Sequence, residues 1–358
     1  MTLSSHASLA PRRRLVASLV ASDLAKKFAR LNEADSSRVH GYAAAASQSA
    51  WSCDRAANEM ARNRYSNVLP WDSNRVCLNV GDGANDYINA SPICLQAPRS
   101  RPRRYIASQG PTRHTTPHFW HMVYAETSDP AVIVMLTRTY EGPREKCYQY
   151  WSDGTQEIRS SEFSCRITLT DKYHYDKADC TVRQFKLEPF SPDGSENGNK
   201  DRPSKTVYHI YYENWVDFGA PEPGREHQIL ELCNLANTKN STDSPLVVHC
   251  SAGVGRTGTF ITADFLQSCV QEGPADDKDN DDDEALSENH TVASSALLFS
   301  EQNSLYSNYT NTDRGDLPDP VFDTVATLRR QRMLMVQSVW QFKFLYQILR
   351  TIVFDEHM

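Results

Sequence analysis

This chain of 358 residues contains no apolar run approaching the ~18–20 residues that cross a membrane as a helix, so no membrane partner is expected. It has no Cys-x-x-Cys pair, and its nine cysteines are an odd and scattered set. That argues against a disulfide framework and a structural zinc site, and makes a reducing compartment the natural setting. Broad acidity is absent too. The formal net charge is −7, but residues 271–288 carry nine acidic side chains against Lys278, a net of −8, which leaves about +1 for everything else. The acidity therefore belongs to one segment, and nothing suggests nucleic-acid binding. What the chain does have is enough apolar composition, 39%, for a sizeable core, in a length that is long for one domain and short for two.

The most informative stretch is Val247-Val248-His249-Cys250-Ser251-Ala252-Gly253-Val254-Gly255-Arg256-Thr257-Gly258-Thr259-Phe260. It opens as a β-branched apolar run, the signature of a short buried strand. It then breaks into small residues and glycines and resumes as a helical pattern through Ile261, Ala263, Phe265 and Leu266. A Gly-rich turn from strand to helix aims several backbone N–H groups at one point, where the helix dipole is also positive, so the loop is an anion cradle. Cys250 stands in this cradle six residues before Arg256. The N–H groups, the dipole and the guanidinium all stabilise a thiolate, and a thiol that ordinarily titrates near ~8.5 can fall to roughly 3.5–7.5 in such surroundings. Arg256 can grip two oxygens of a phosphate at once. A Walker A loop is excluded, because no Lys-Ser/Thr pair follows the last glycine. A buried cysteine on an ordinary turn would not require the whole string.

His-Cys-x5-Arg-Thr resembles the phosphate-binding signature of the cysteine-dependent protein tyrosine phosphatases, and four further motifs appear in family order across residues 58–350. The resemblance is to the tyrosine-specific, non-receptor members with one catalytic domain. It implies an α/β (α+β) fold, a twisted mixed β-sheet flanked by helices with the cysteine loop at a strand's carboxyl end. It also implies a two-step, metal-free hydrolysis that needs no cofactor. Cys250 is the expected nucleophile, while Arg256 and the amides of Ser251, Ala252, Gly253, Val254 and Gly255 hold the phosphate. Thr257 would help the sulfur leave, and His249 would orient the loop from behind.

Asn63-Arg64-Tyr65-Ser66-Asn67 resembles the phosphotyrosine-recognition loop, with Tyr65 as the aromatic wall that sets pocket depth. Asn67 stands where relatives often have an aspartate. Asn214-Trp215-Val216-Asp217-Phe218 resembles the mobile acid loop, with Asp217 as general acid and then base, Trp215 in support and Phe218 facing substrate. Val216 replaces the family's proline, a loss that should alter the loop's open–closed balance and slow turnover. Glu141 stands six residues before Cys147 and is assigned to bracing Arg256, beside Lys146. Met335-Val336-Gln337-Ser338-Val339-Trp340-Gln341 resembles the glutamine loop, in which Gln337 positions water with Gln341 as helper.

Other stretches are scaffold or lie outside the motifs. Asp86–Ser91 and Tyr105–Thr112 read as strands, Ala131–Leu136 as a central parallel strand, and Val207–Tyr212 as the strand before the acid loop. His118 and His121 sit one helical turn apart, but Phe119, Trp120 and Val123 make this a core helix, and no metal site is expected. Residues 1–14 read as a flexible tail and 15–358 as the catalytic domain, with a polar loop at 191–204 and an acidic, disordered insertion at 274–316. The Arg-rich start, free of acidic residues before Asp23, resembles a mitochondrial presequence. An amphipathic helix through Val16, Val20, Leu24, Phe28 and Leu31 is the preferred reading. The expected protein is a cytoplasmic monomer, with nuclear access open, acting on phosphotyrosine proteins. A MAP kinase is the family-level expectation for small stand-alone members. The competing expectation is a phosphotyrosine-binding module weakened in turnover by Val216. Relaxed specificity towards phosphoserine or phospholipid is disfavoured by the intact Tyr65 loop.

Overall fold

The computed structural model describes residues 23–44, 49–97, 101–191, 202–271 and 319–354. The expected tail, the acidic insertion, the presequence-like start and all but the ends of the polar loop lie outside the described residues.

The chain runs through α1 (Leu24–Ala44), the single turn α2 (Asp54–Asn58), β1 (Ala90–Leu95), β2 (Arg103–Ser108) and α3 (Thr116–Glu126). Next come β3 (Ala131–Met135), the small hairpin β4 (Tyr140–Glu141) and β5 (Arg144–Glu145), β6 (Thr155–Ile158), β7 (Cys165–Tyr175) and β8 (Cys180–Pro189). β9 (Lys205–Tyr211), α4 (Glu226–Lys239), β10 (Leu246–His249), α5 (Gly255–Gln271), α6 (Pro320–Gln331) and α7 (Val339–Phe354) complete it. Eight strands form one sheet in the order β1-β2-β10-β3-β9-β8-β7-β6. β2, β10, β3 and β9 are mutually parallel at its centre, and antiparallel strands extend it on both sides.

The central strands are apolar at consecutive positions because helices cover both faces. Along β3, Val132 and Val134 enter one core with residues of α1, α4, α5, α6 and α7. Ala131, Ile133 and Met135 enter the other, beneath Phe119, Trp120, Met122 and Val123 of α3. β10 divides the same way, with Leu246 and Val248 on one side and Val247 on the other. His118 and His121 ride on α3, where burial pushes both imidazoles down to about 4.

One expected strand starts later than its alternation suggests. Of Asp86–Ser91 only Ala90 and Ser91 belong to β1, and Tyr87 makes an isolated bridge to Cys77. Side chains take the backbone groups a ladder would use. Asn85 Oδ1 accepts from the Tyr87 N–H at 3.0 Å, and Arg62 donates to the Tyr87 carbonyl at 2.8 Å.

The parallel centre positions the site. Four strands point their carboxyl ends to one edge of the sheet, so the loops after β2, β3, β9 and β10 meet there.

Candidate active site

The loop after β10 is the cysteine loop, and its tightness explains its small residues. Gly253 has φ +72°, and a Cβ there would collide with the backbone of Ser108 and Gln109 after β2. A Cβ on Gly258 would come within 2.6 Å of the Val336 nitrogen. The glycines thus let the loop lie flat between β2 and the turn that carries Gln337.

Cys250 is buried, and its sulfur accepts the Gly253 N–H at 3.3 Å. Burial alone would raise this thiol, but the Arg256 guanidinium, the Thr257 hydroxyl and the amides of Thr257 and Gly253 outweigh it and hold it below its ordinary value. The Thr257 hydroxyl forms no hydrogen bond of ordinary geometry among the described residues. The other buried thiols contrast with it. Cys165, packed without a cation, is pushed up to about 12 by burial. Fold-wide burial therefore makes thiols inert here, and the cradle reverses that effect at one position.

His249 stands immediately behind the sulfur-bearing residue, fully buried. Its Nδ1 lies 3.1 Å from the Cys250 carbonyl, which can only accept, so Nδ1 carries the proton. Nε2, 2.7 Å from Tyr150 Oη, then accepts from the phenol. Burial brings this imidazole down to about 4, although the Cys250 carbonyl pulls it upward, so the ring is neutral and pins the loop backbone.

Arg256, 1% exposed, is held from two other loops. Nη1 donates to Glu141 Oε1 at 2.7 Å, from the hairpin after β3, and to the Trp215 carbonyl at 2.9 Å, from the loop after β9. Nη2 donates to Asp217 Oδ1 at 3.1 Å, while Lys146 Nζ meets Asp217 Oδ2 at 2.5 Å. The acid loop is thus folded over the cysteine loop. Trp215 is buried and donates from its indole to the Gly219 carbonyl at 3.0 Å. Phe218 has φ +56° and is exposed, and the Val216 side chain is 73% exposed. Valine in place of proline does not keep Asp217 from reaching Arg256 and Lys146.

Tyr65 Oη is 2.8 Å from Ser251 Oγ, which donates onward to the Lys146 carbonyl at 2.7 Å. Tyr65 is therefore the donor of the pair, and its ring is tied to the cysteine loop. Asn67 is exposed beyond it. Gln341 Oε1 accepts the Gln337 and Ser338 amides at 2.9 and 3.2 Å, and both glutamines border Gly255. No group of three or more metal-ligating side chains occurs among the described residues.

Three arginines, Arg64 partly buried and Arg329 and Arg332 buried, were not singled out from the sequence. Arg64 donates to the Gly110, Pro111 and Glu145 carbonyls at 2.9, 2.7 and 3.1 Å and so anchors Tyr65's loop. Arg332 donates to the Gly253 and Ala252 carbonyls at 2.9 and 3.1 Å. A peptide's N–H points opposite to its C=O, so these bonds turn the Gly253 and Val254 amides toward the sulfur's side of the loop. Arg329 binds the carbonyls of Met335 and Val336, both at 2.9 Å.

A family model described as protein-tyrosine phosphatase matches residues 59–281. The chain belongs to the protein tyrosine phosphatases. This phosphatase is 38% identical over 305 residues to Tyrosine-protein phosphatase 1 of Saccharomyces cerevisiae, a match that covers 80% of each. It is 32% identical over 341 residues to Tyrosine-protein phosphatase 2 of Schizosaccharomyces pombe, where the match covers 94% of this chain but 40% of that protein. Among solved structures, PTPN18 in complex with HER2 phosphopeptides superposes with a TM-score of 0.65 at 26% identity, over 92% of this chain and 93% of PTPN18. The mixed-sheet fold is that of the family. No helix among the described residues is long and apolar enough to cross a membrane.

Proposed function

We propose that this phosphatase hydrolyses phosphotyrosine in proteins through a cysteinyl-phosphate intermediate. The single observation that carries the reading is the meeting of Cys250 and Arg256, both on the cysteine loop, with Asp217, delivered by the loop after β9, whose Oδ1 lies 3.1 Å from Arg256 Nη2. Cys250 attacks phosphorus as a thiolate while the tyrosine oxygen departs with a proton from Asp217. Arg256, oriented by Glu141 and the Trp215 carbonyl, and the loop amides hold the three equatorial oxygens. Water oriented by Gln337, with Gln341 fixing the turn, then gives its proton to the Asp217 carboxylate and attacks phosphorus. The P–S bond breaks, and Thr257 and the cradle receive the thiolate.

Lys146 and Arg256 hold Asp217 over the sulfur, and His249 and Tyr150 fix the backbone beneath it. Tyr65, tied to Ser251, sets a pocket depth that suits phosphotyrosine. Phe218, Val216, Tyr140 and Trp340, all exposed, stand next in sequence to residues that touch the cysteine loop or its arginine and form an apolar rim for substrate. PTPN18's complex with HER2 phosphopeptides supports protein phosphotyrosine as the substrate class. We read residues 15–358 as one catalytic domain, monomeric and cytoplasmic. An activation-loop phosphotyrosine of a MAP kinase is the first substrate to assay.

The test is phosphate release from matched phosphotyrosine and phosphoserine peptides by the parent, Cys250→Ser and Val216→Pro proteins. Turnover of phosphotyrosine alone, lost in Cys250→Ser, is expected, and a faster proline variant would place the slow step in the acid loop. An inactive parent that binds phosphotyrosine peptide and is rescued by proline would make it a binding module.

A further inference from the structure

The turn that carries Gln337 is held in an unfavourable backbone conformation by a helix remote in sequence. Leu334 and Val336 both have φ +60°. Residues with side chains rarely enter this region, and a β-branched valine resists it most. Such conformations persist only where their surroundings over-determine them. Here the surroundings can be traced atom by atom. The Val336 N–H donates to the Val254 carbonyl of the cysteine loop at 3.0 Å. Arg329 Nε and Nη2 donate to the Met335 and Val336 carbonyls, both at 2.9 Å.

Arg329 is itself held by α1. Its Nη1 donates to Asn32 Oδ1 at 2.9 Å and lies 3.1 Å from Asp35 Oδ2. Arg329 and Asp35 are 1% and 4% exposed, so neither charge has water as an alternative partner. Arg38 occupies the other oxygen of Asp35 at 2.6 Å, and the Phe28 ring lies 5.3 Å from the Arg329 guanidinium. Asp35 therefore reaches the left-handed turn through Arg329, at Met335 and Val336. α1 precedes the residues matched by the family model.

We propose that Asp35 and Asn32 of α1 are positioning residues for the second chemical step, holding Gln337 at the attacking water through Arg329. The inference rests on the reading above that Gln337 orients that water. The turn has one strong support on each side. The Val254 carbonyl fixes it to the cysteine loop, and Arg329 fixes its carbonyls. Without the α1 anchor the guanidinium is free to follow other acceptors, and the turn relaxes toward negative φ. Gln337 then leaves Gly255, while Cys250, Arg256 and Asp217, which belong to other loops, stay in place. Formation of the phosphoenzyme is spared and its hydrolysis is not.

The experiment follows p-nitrophenyl phosphate turnover with the full chain. Burst kinetics give the rate of phosphoenzyme formation. Methanol, as a competing acceptor, gives the ratio of methyl phosphate to inorganic phosphate. Asp35→Asn keeps the side-chain volume, and Asn32→Ala removes one bond from the same anchor, so one variant serves if the other fails to fold. The expected result is a burst rate within about twofold of the parent. Dephosphorylation should be slower by about three- to tenfold, as small displacements of a reacting group produce, with a larger methyl phosphate share.

Gln337→Ala should shift the share the same way, and adding Asp35→Asn to it should change little. If Gln337→Ala shifts the share but neither α1 variant does, the positioning role is overturned and the water-orienting role stands. Equal slowing of both steps by the α1 variants would also overturn it. If Gln337→Ala leaves the share unchanged, the role of Gln337 falls, and any shift from Asp35→Asn would then arise by some other route and sink the proposal with it.

Discussion

Arg332 tests the idea that the cradle's amides are aimed from behind. It is fully buried, and burial brings it down only to about 10, so it is cationic at neutral pH. Its donors reach the Gly253 and Ala252 carbonyls, Asn89 Oδ1 at 2.7 Å and Ser91 Oγ at 3.2 Å. Arg332→Met keeps most of the apolar stem and removes all four bonds. Each of the two orphaned carbonyls costs about 1–3 kcal/mol if it stays buried and unpaired. The peptides relieve that cost by rotating, which swings the Gly253 and Val254 N–H groups out of the cradle. A lost N–H to the thiolate, worth about 1.5–3 kcal/mol as a charge-assisted bond, corresponds to about one to two pH units on Cys250.

The thiol should therefore titrate higher, because the charged form is the one that loses its donor and a nearby positive charge. Loss of an aimed donor costs about 10²–10³ in rate, so kcat/KM for a phosphotyrosine peptide should fall by at least that factor. The rate of iodoacetamide alkylation against pH reads the thiol directly, and near-UV circular dichroism checks the fold. Arg332→Lys, with its charge but fewer donors, should fall between parent and methionine variant. A folded Arg332→Met protein with an unmoved alkylation curve and kcat/KM within about threefold of the parent would refute the reasoning.

Glu141→Gln keeps the size of the group 2.7 Å from Arg256 but removes its charge, so kcat/KM should drop about 10- to 100-fold while urea stability changes by less than about 1 kcal/mol; a parent-like rate would remove Glu141 from the machinery. His249 is neutral in the fold and, below its unfolded value of about 6.5, charged when unfolded, so its contribution is fully present above about 6.5 and is lost as the pH falls from 6.5 toward about 4. The stability–pH slope in that window should flatten by up to about 1.4 kcal/mol per unit in His249→Phe, and an unchanged slope would contradict the assignment. His209, on β9 among Tyr150, Trp151 and Tyr211, is fully buried with neither ring nitrogen hydrogen-bonded among the described residues. His209→Leu, close in volume, should raise stability by about 1–2 kcal/mol at an unchanged denaturant slope, and a lower urea midpoint would show that the imidazole has a partner after all.

Much of the site is written in short strings. Cys250, Gly253 and Arg256 must stand at fixed spacing because one turn has to pass beneath a strand end, aim its amides and start a helix. Nothing outside that turn can substitute for those residue types. Asp217 and Gln337 are legible for the same reason, each at the tip of a loop between recognisable elements. Val216 shows what a string leaves to the tertiary structure. Its difference from proline is plain in the sequence, yet its side chain points to solvent and Asp217 still reaches Arg256 and Lys146. Asp86–Ser91 shows another limit, since alternation cannot reveal that Asn85 and Arg62 intercept the ladder's hydrogen bonds.

The run Arg329-Arg330-Gln331-Arg332 reads locally as a basic helix end, the exposed charge that commonly complements a helix dipole. Two of its arginines are instead among the most buried side chains described, and their partners lie 79 residues away at Gly253, 243 at Asn89 and 297 at Asn32. Local sequence marks the candidate groups for the chemistry, because turn sterics, helix dipoles and proton donors act over a few bonds. Tertiary structure alone decides what aims and holds them. A buried charge is tolerable only where distant segments together supply its acceptors, and no single segment contains that information.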